Sequence, residues 1–277
     1  MSAAPTVMHR DDAALRVFDT GQGELPVVFQ HGLGGDANQV AQNFPDGPSC
    51  RRLTVECRAQ GGSGAGSKRP FSIAMFADDV LAAADAAGLD RFIAGGISMG
   101  AAIALRLAAC HPDRVLGLVL VRPAWAFAAA PQNMRPYTEV ADLIRRLPLA
   151  EARDTFASSA TSARFRTEAP DNLASLLGFF QRENADVFAE VMQAIANDGP
   201  GVTRALAASL ARPTLIIGSG IDLVHPLATA RELAETIRNA VFAEVTPKAT
   251  DKDRHFAEIR AAIGAFLDRN FNNQDQS

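Results

Sequence analysis

Six short, nearly uninterrupted apolar runs punctuate the chain, at Leu25–Phe29, Leu53–Val55, Phe92–Ala94, Val115–Val121, Thr214–Ile217 and Val241–Val245. Their length and lack of polar alternation predict strands buried on both faces. Between most of them apolar residues recur at helical spacing. Over Phe71–Asp90, Ser72 is placed to cap a helix, Ile73, Phe76, Val80, Leu81 and Ala84 share a face, and Gly88 ends it. The alternation predicts an α/β fold: a mostly parallel central sheet flanked by helices, with right-handed crossovers and its chemistry on loops at the strand C-terminal ends. From Pro123 to Arg212 the texture changes. Helical patterns follow one another, as in Val140–Leu147, Leu173–Phe180 and Val187–Ile195, and no strand interrupts them. The expected organisation is a core of residues 1–122 and 213–277 with a helical lid inserted at 123–212. Phe256, Ile259, Ile263, Phe266 and Leu267 predict a final packing helix, and Asn270–Ser277 a frayed end.

Composition narrows the class. At 277 residues and 48% hydrophobic, the chain suits one large domain with a substantial core. A net charge of -4 and the lack of a dense Lys/Arg block argue against nucleic acid as a partner. Met1–Arg10 has no basic segment followed by an apolar one, and no apolar run is long enough to cross a bilayer, which predicts a cytoplasmic protein without a membrane partner. Three cysteines, Cys50, Cys57 and Cys110, without a C-x-x-C pair predict free thiols. The five histidines lack metal-ligand spacing, so no metal and no cofactor is expected. Gly61–Lys68 is glycine-rich, but Ser67 separates its last glycine from the lysine and Pro70 follows, so a phosphate loop is disfavoured against a mobile entrance loop.

The chemistry centres on Gly96-Ile97-Ser98-Met99-Gly100, a G-x-S-x-G between the apolar run ending at Ala94 and the helical run Ala101–Cys110. A serine at so sharp a strand-to-helix turn is a candidate nucleophile, since the flanking glycines leave room for neighbouring backbone and the helix start aims free amides at the turn. Upstream, His31-Gly32-Leu33-Gly34-Gly35 follows the strand ending at Gln30. Together with Cys57–Ser63, similar to a D-R-G-x-G-x-S loop with Cys57 for aspartate and Ala59 for glycine, and with His111–Val115, these motifs resemble the α/β-hydrolase superfamily across nearly the whole chain.

That resemblance implies a Ser-His-Asp triad. Its oxyanion amides would be those of Leu33 and Met99, and His31 would organise its loop. Gly218–Pro226 resembles the family's acid loop, with Asp222 at the acid position. The family places a G-H pair directly after the last strand, where this chain reads Thr246-Pro247-Lys248. His255 is the only histidine between that strand and the final helix, and is the expected base. His225, three residues beyond Asp222, is the reserve. Arg122 is expected to face a substrate carboxylate or to pair with a lid acid. Trp125, Phe179 and Phe180 are expected to give the pocket a mainly apolar lining.

The expected function is hydrolysis of a small ester or lactone through an acyl-enzyme. Cofactor-free perhydrolase or haloperoxidase activity and carbon-carbon bond hydrolysis remain open on the same triad, and so does a non-catalytic small-ligand receptor on the same scaffold. Aspartate-nucleophile chemistry is disfavoured because the elbow carries Ser98.

Overall fold

A computed structural model describes residues 4–47 and 49–272. Among the described residues eight strands form one sheet in the order β1-β2-β4-β3-β5-β6-β7-β8. The runs read as strands are β3 (Leu25–Gln30), β4 (Cys50–Val55), β5 (Phe92–Ile97), β6 (Val115–Val121), β7 (Thr214–Ser219) and β8 (Ala240–Val245), all mutually parallel. Two further strands, β1 (Thr6–Arg10) and β2 (Ala13–Asp19), form an antiparallel hairpin whose second strand pairs with β4. Ala13, Leu15 and Val17 alternate inward there, while β1 is largely exposed. The central strands β5 and β6 are buried almost throughout, as two covered faces require.

Helices α1 (Ala37–Asn43), α2 (Ile73–Ala86) and α3 (Met99–Cys110) connect the first parallel strands. The Ser72 side chain accepts the Met75 N–H at the start of α2, and Gly88, at φ +68°, closes it while the Leu89 N–H reaches the Ala84 carbonyl. Between β6 and β7 run α4 (Arg135–Arg146), α5 (Leu149–Ala157), α6 (Ala160–Glu168), α7 (Pro170–Gly178), α8 (Ala185–Ala196) and α9 (Arg204–Ala208), with no strand among the described residues. Then come α10 (Leu227–Thr236) and α11 (Lys252–Leu267). The apolar interior divides at the sheet. One cluster joins the α2–α3 side to α4–α8, and another packs Val27, Phe29, Ile93 and Val119 against Ile259, Ile263 and Phe266 of α11.

No helix among the described residues is long and apolar enough to cross a membrane. The three cysteines are free. The expected frayed end is helical over Asp268–Asn272, and its remainder, 273–277, lies outside the described residues, as do Met1–Ala3 of the segment read for a leader. The glycine-rich loop is tied down instead of open: Gly62 N–H donates to Glu56, Gly64 N–H to the Ala14 carbonyl and Ser67 N–H to Asp12. These amides are spent inside the fold.

Candidate active site

Ser98 sits between β5 and α3 with φ 55° and ψ -109°. Left-handed backbone at a non-glycine residue is strained and is held here by its surroundings. The Ser98 N–H donates to the Val121 carbonyl at 2.9 Å. A Cβ on Gly96 would stand 2.5 Å from the Gly100 carbonyl carbon, and one on Gly100 would stand 2.3 Å from the Gln30 carbonyl oxygen. Both glycines are therefore steric requirements of the turn.

The loop after β3 is wired in three places. Gly32 N–H donates to Gln39 Oε1, Gly34 N–H to Gln60 Oε1 and Gly35 N–H to the Gly32 carbonyl. The Leu33 amide has no acceptor among the described residues, nor has that of Met99, the first residue of α3. His31 is fully buried, donates from Nδ1 to the Gly32 carbonyl at 2.8 Å and accepts the Cys57 N–H on Nε2 at 3.0 Å. Both ring nitrogens thus act in holding two loops together.

The β7 loop brings Asp222 beside His225. The His225 N–H donates to Asp222 Oδ1 at 2.9 Å, a turn that folds the imidazole back onto the carboxylate. Its Nδ1 then lies 3.0 Å from both carboxylate oxygens, closer than its 3.2 Å separation from Arg122 Nη2, which assigns the ring proton to Nδ1. Its Nε2 is buried and has no partner among the described residues. Arg122, at φ 46° just after β6, donates from Nε to Asp222 Oδ2 at 2.9 Å and also from Nη2. Its acidic partner is thus the β7-loop carboxylate and not an acid of the helical segment. Burial alone would raise the Asp222 carboxyl, but the His225 ring and the Arg122 guanidinium hold it well below the usual carboxylate range. Burial lowers the His225 imidazole, and the cations of Arg122 and Lys248 add to this against the opposing pull of Asp222.

A cavity of about 100 Å³ joins these groups, with Ser98, Leu33, Gln39, Arg122, His225 and Lys248 in its wall. Tyr137 of α4, Asp171, Asn172 and Ser175 of α7, and Phe179 close it from the helical segment. The expected apolar lining is overturned. Phe179 does line the cavity, but Trp125 is buried with its indole N–H on the Asp198 carbonyl, and Phe180 packs against Phe156. A buried indole needs an acceptor, and it finds one inside the fold, away from the cavity.

His255 is also corrected. Asp251 caps α11 by accepting the Arg254 N–H, so the helix begins before His255 and sets it on the buried stripe with Ile259, Ile263 and Phe266. Its Nδ1 donates to the Thr246 carbonyl at 2.7 Å, its Nε2 is buried without a partner, and it bonds neither Asp222 nor Ser98. Lys248, from the loop after β8, reaches the cavity in its place and pairs with Asp171 at 2.7 Å. Sequence reasoning passed over Lys248 as a cavity residue, along with Gln39, Asn172 and Tyr137. Only Lys248 carried a signal, its position where a histidine was expected. Among the described residues no three His, Cys, Asp or Glu side chains converge as metal ligands.

The sequence profile of the alpha/beta hydrolase fold matches residues 26–259. The chain belongs to that family. A putative carbamate hydrolase RutD from Klebsiella pneumoniae (strain 342) is 31% identical over 228 residues, covering 78% of this chain and 80% of that protein. Among solved structures, the enol-lactonase from Burkholderia xenovorans LB400 superposes with a TM-score of 0.67 at 24% identity, over 94% of this chain and 96% of that one. An esterase from Thermogutta terrifontis gives 0.69 at 21% identity, over 96% and 99%. At these identities the two structures are likenesses of fold.

Proposed function

We propose that the chain is a serine hydrolase of small acyl substrates, esters or lactones, working through Ser98, His225 and Asp222. One observation carries the reading: the His225 Nδ1 is held by the Asp222 carboxylate while its Nε2, without a protein partner, belongs to a side chain in the wall of the Ser98 cavity. A serine hydroxyl needs such a neutral imidazole to accept its proton.

Ser98 Oγ attacks the substrate carbonyl carbon as its proton passes to His225 Nε2. Asp222 steadies the imidazolium, and the unspent Leu33 and Met99 amides receive the carbonyl oxygen as it becomes an oxyanion. The leaving oxygen takes the proton back from His225 as its bond to carbon breaks. Water, deprotonated by the same nitrogen, then attacks the acyl carbon, and the bond from that carbon to Ser98 Oγ breaks as His225 Nε2 returns the proton to Oγ. The α4–α9 segment acts as the lid, since its residues close the cavity over the serine. The names of the relatives, carbamate hydrolase, enol-lactonase and esterase, agree with attack at an acyl carbon.

A fluorophosphonate probe followed by mass spectrometry tests this. The wild type is expected to be labelled at Ser98, and Ser98→Ala to lose both labelling and turnover of small esters. A folded protein that binds small molecules while Ser98 stays unlabelled is a receptor, and the hydrolase reading then fails.

A further inference from the structure

The hydrogen-bonding capacity left over in the Ser98 cavity is lopsided. Gln39 Oε1 accepts the Gly32 N–H, and Asn172 Oδ1 accepts the N–H groups of Leu223 and Val224, so each amide is fixed with its amino group unspent. Arg122 gives Nε and Nη2 to Asp222, and Nη1 has no acceptor among the described residues. Tyr137, the single tyrosine of the chain, is buried, and its hydroxyl bonds to no described residue. Lys248 has three N–H donors and one protein partner, Asp171. Against these donors the unspent side-chain acceptors in the wall are Ser98 Oγ and His225 Nε2, both used in the reaction, the second oxygen of Asp171, and the neutral hydroxyl oxygens of Tyr137 and Ser175.

The sign of the Lys248–Asp171 pair matters. Asp171 stands in the first turn of α7, where the unsatisfied amides and the positive end of the helix already stabilise a carboxylate. Lys248 is three-quarters buried and has Asp171 alone. The ion pair itself is neutral, and the start of α7 adds partial positive charge at this wall. An ammonium kept beside a reactive serine, with donors around it, is matched by an oxyanion of the ligand.

We infer that the cavity selects acyl substrates that carry a second, anionic oxygen group, a carboxylate, which Lys248 binds while the ester or lactone carbonyl faces Ser98. This rests on the hydrolase reading above and adds the substrate class. Lys248 is then a specificity determinant: it holds the end of the substrate that does not react, so its loss raises KM for the anionic substrate more than it lowers kcat.

The test pairs methyl hydrogen succinate with methyl butyrate, of equal acyl length, in pH-stat hydrolysis by the wild type, Lys248→Met and Lys248→Arg. Calorimetry with succinate on the same proteins and on Ser98→Ala reads binding without turnover. The wild type is expected to favour the anionic ester at least about tenfold in kcat/KM, the scale of one charged hydrogen bond. Lys248→Met loses that ratio through KM and weakens succinate binding by a similar factor, and Lys248→Arg restores much of both. Ser98→Ala still binds succinate. Preference for the neutral ester, equal loss on both esters in Lys248→Met, or succinate binding that is absent or indifferent to residue 248 overturns the inference. Absence of turnover on both esters with Lys248-dependent succinate binding intact instead refutes the hydrolase reading and leaves the anion site standing.

Discussion

Acid should unfold this protein earlier than its carboxylates alone would dictate, because three buried histidines are held neutral. His31 has both ring nitrogens engaged, so a proton on Nε2 breaks its bond to the Cys57 amide. His255 Nε2 is sealed in the interior, and His225 sits beside Arg122. Burial is the leading cause that lowers all three below the ordinary value of 6.5. In the unfolded chain they titrate near 6.5. Below that pH the unfolded state binds more protons than the folded one, so stability is full above it and falls as pH drops. Each histidine protonated only in the unfolded state contributes a slope of about 1.4 kcal/mol per pH unit, and three give a limiting slope of about 4 kcal/mol per unit where all stay neutral in the folded state. The depressed Asp222 carboxyl adds its own loss only below its unfolded value of 3.8, outside this window. Urea unfolding from pH 8 to pH 5 should show a plateau above 7 and a steep decline below 6. His255→Gln should reduce the slope by about 1.4 kcal/mol per unit. A flat profile between pH 7 and 5, or a slope unchanged in that variant, would mean that the folded protein does not hold these histidines neutral.

Two further consequences follow from the geometry. Gly100→Ala drives a Cβ into the Gln30 carbonyl and should cost about 3 kcal/mol in urea unfolding, whereas Gly264→Ala, in α11 with open space around it, should stabilise by up to about 1 kcal/mol; similar effects for the two would count against the packing argument. Arg122→Met removes a cation that lowers His225, so the acid limb of the kcat/KM profile should move to higher pH, and a downward movement would speak against His225 as the group being titrated.

The parallel strands were legible because burial on both faces leaves continuous apolar runs, and the elbow because its two glycines answer a steric need that backbone contacts make concrete. The β1–β2 hairpin was not. Ala14 and Phe18 put apolar residues at the outward positions between and beyond Ala13, Leu15 and Val17, and β1 is mostly exposed, so neither strand stands out by hydrophobicity. The histidines mark a harder limit. A separation of three positions from Asp222 to His225 looks too short for a well-aligned pair, yet the His225 N–H on Asp222 closes a turn that aligns them. Conversely, the pattern beginning at Phe256 hid that His255 lies on the buried face of the same helix, which only the Asp251 cap reveals. Trp125 and Phe180 show why apolar residues in the helical segment did not disclose the cavity. Large aromatics pack the segment together, and the small polar side chains of Asn172 and Ser175 face the serine's cavity.

His225 is the proposed base. The most direct measurement is small-ester kcat/KM for His225→Ala and His255→Ala side by side, with thermal unfolding to confirm that both fold. Loss of about 10²- to 10⁴-fold in His225→Ala, with His255→Ala within about tenfold of wild type, is the predicted result. Activity that survives in His225→Ala and vanishes in a folded His255→Ala would contradict it.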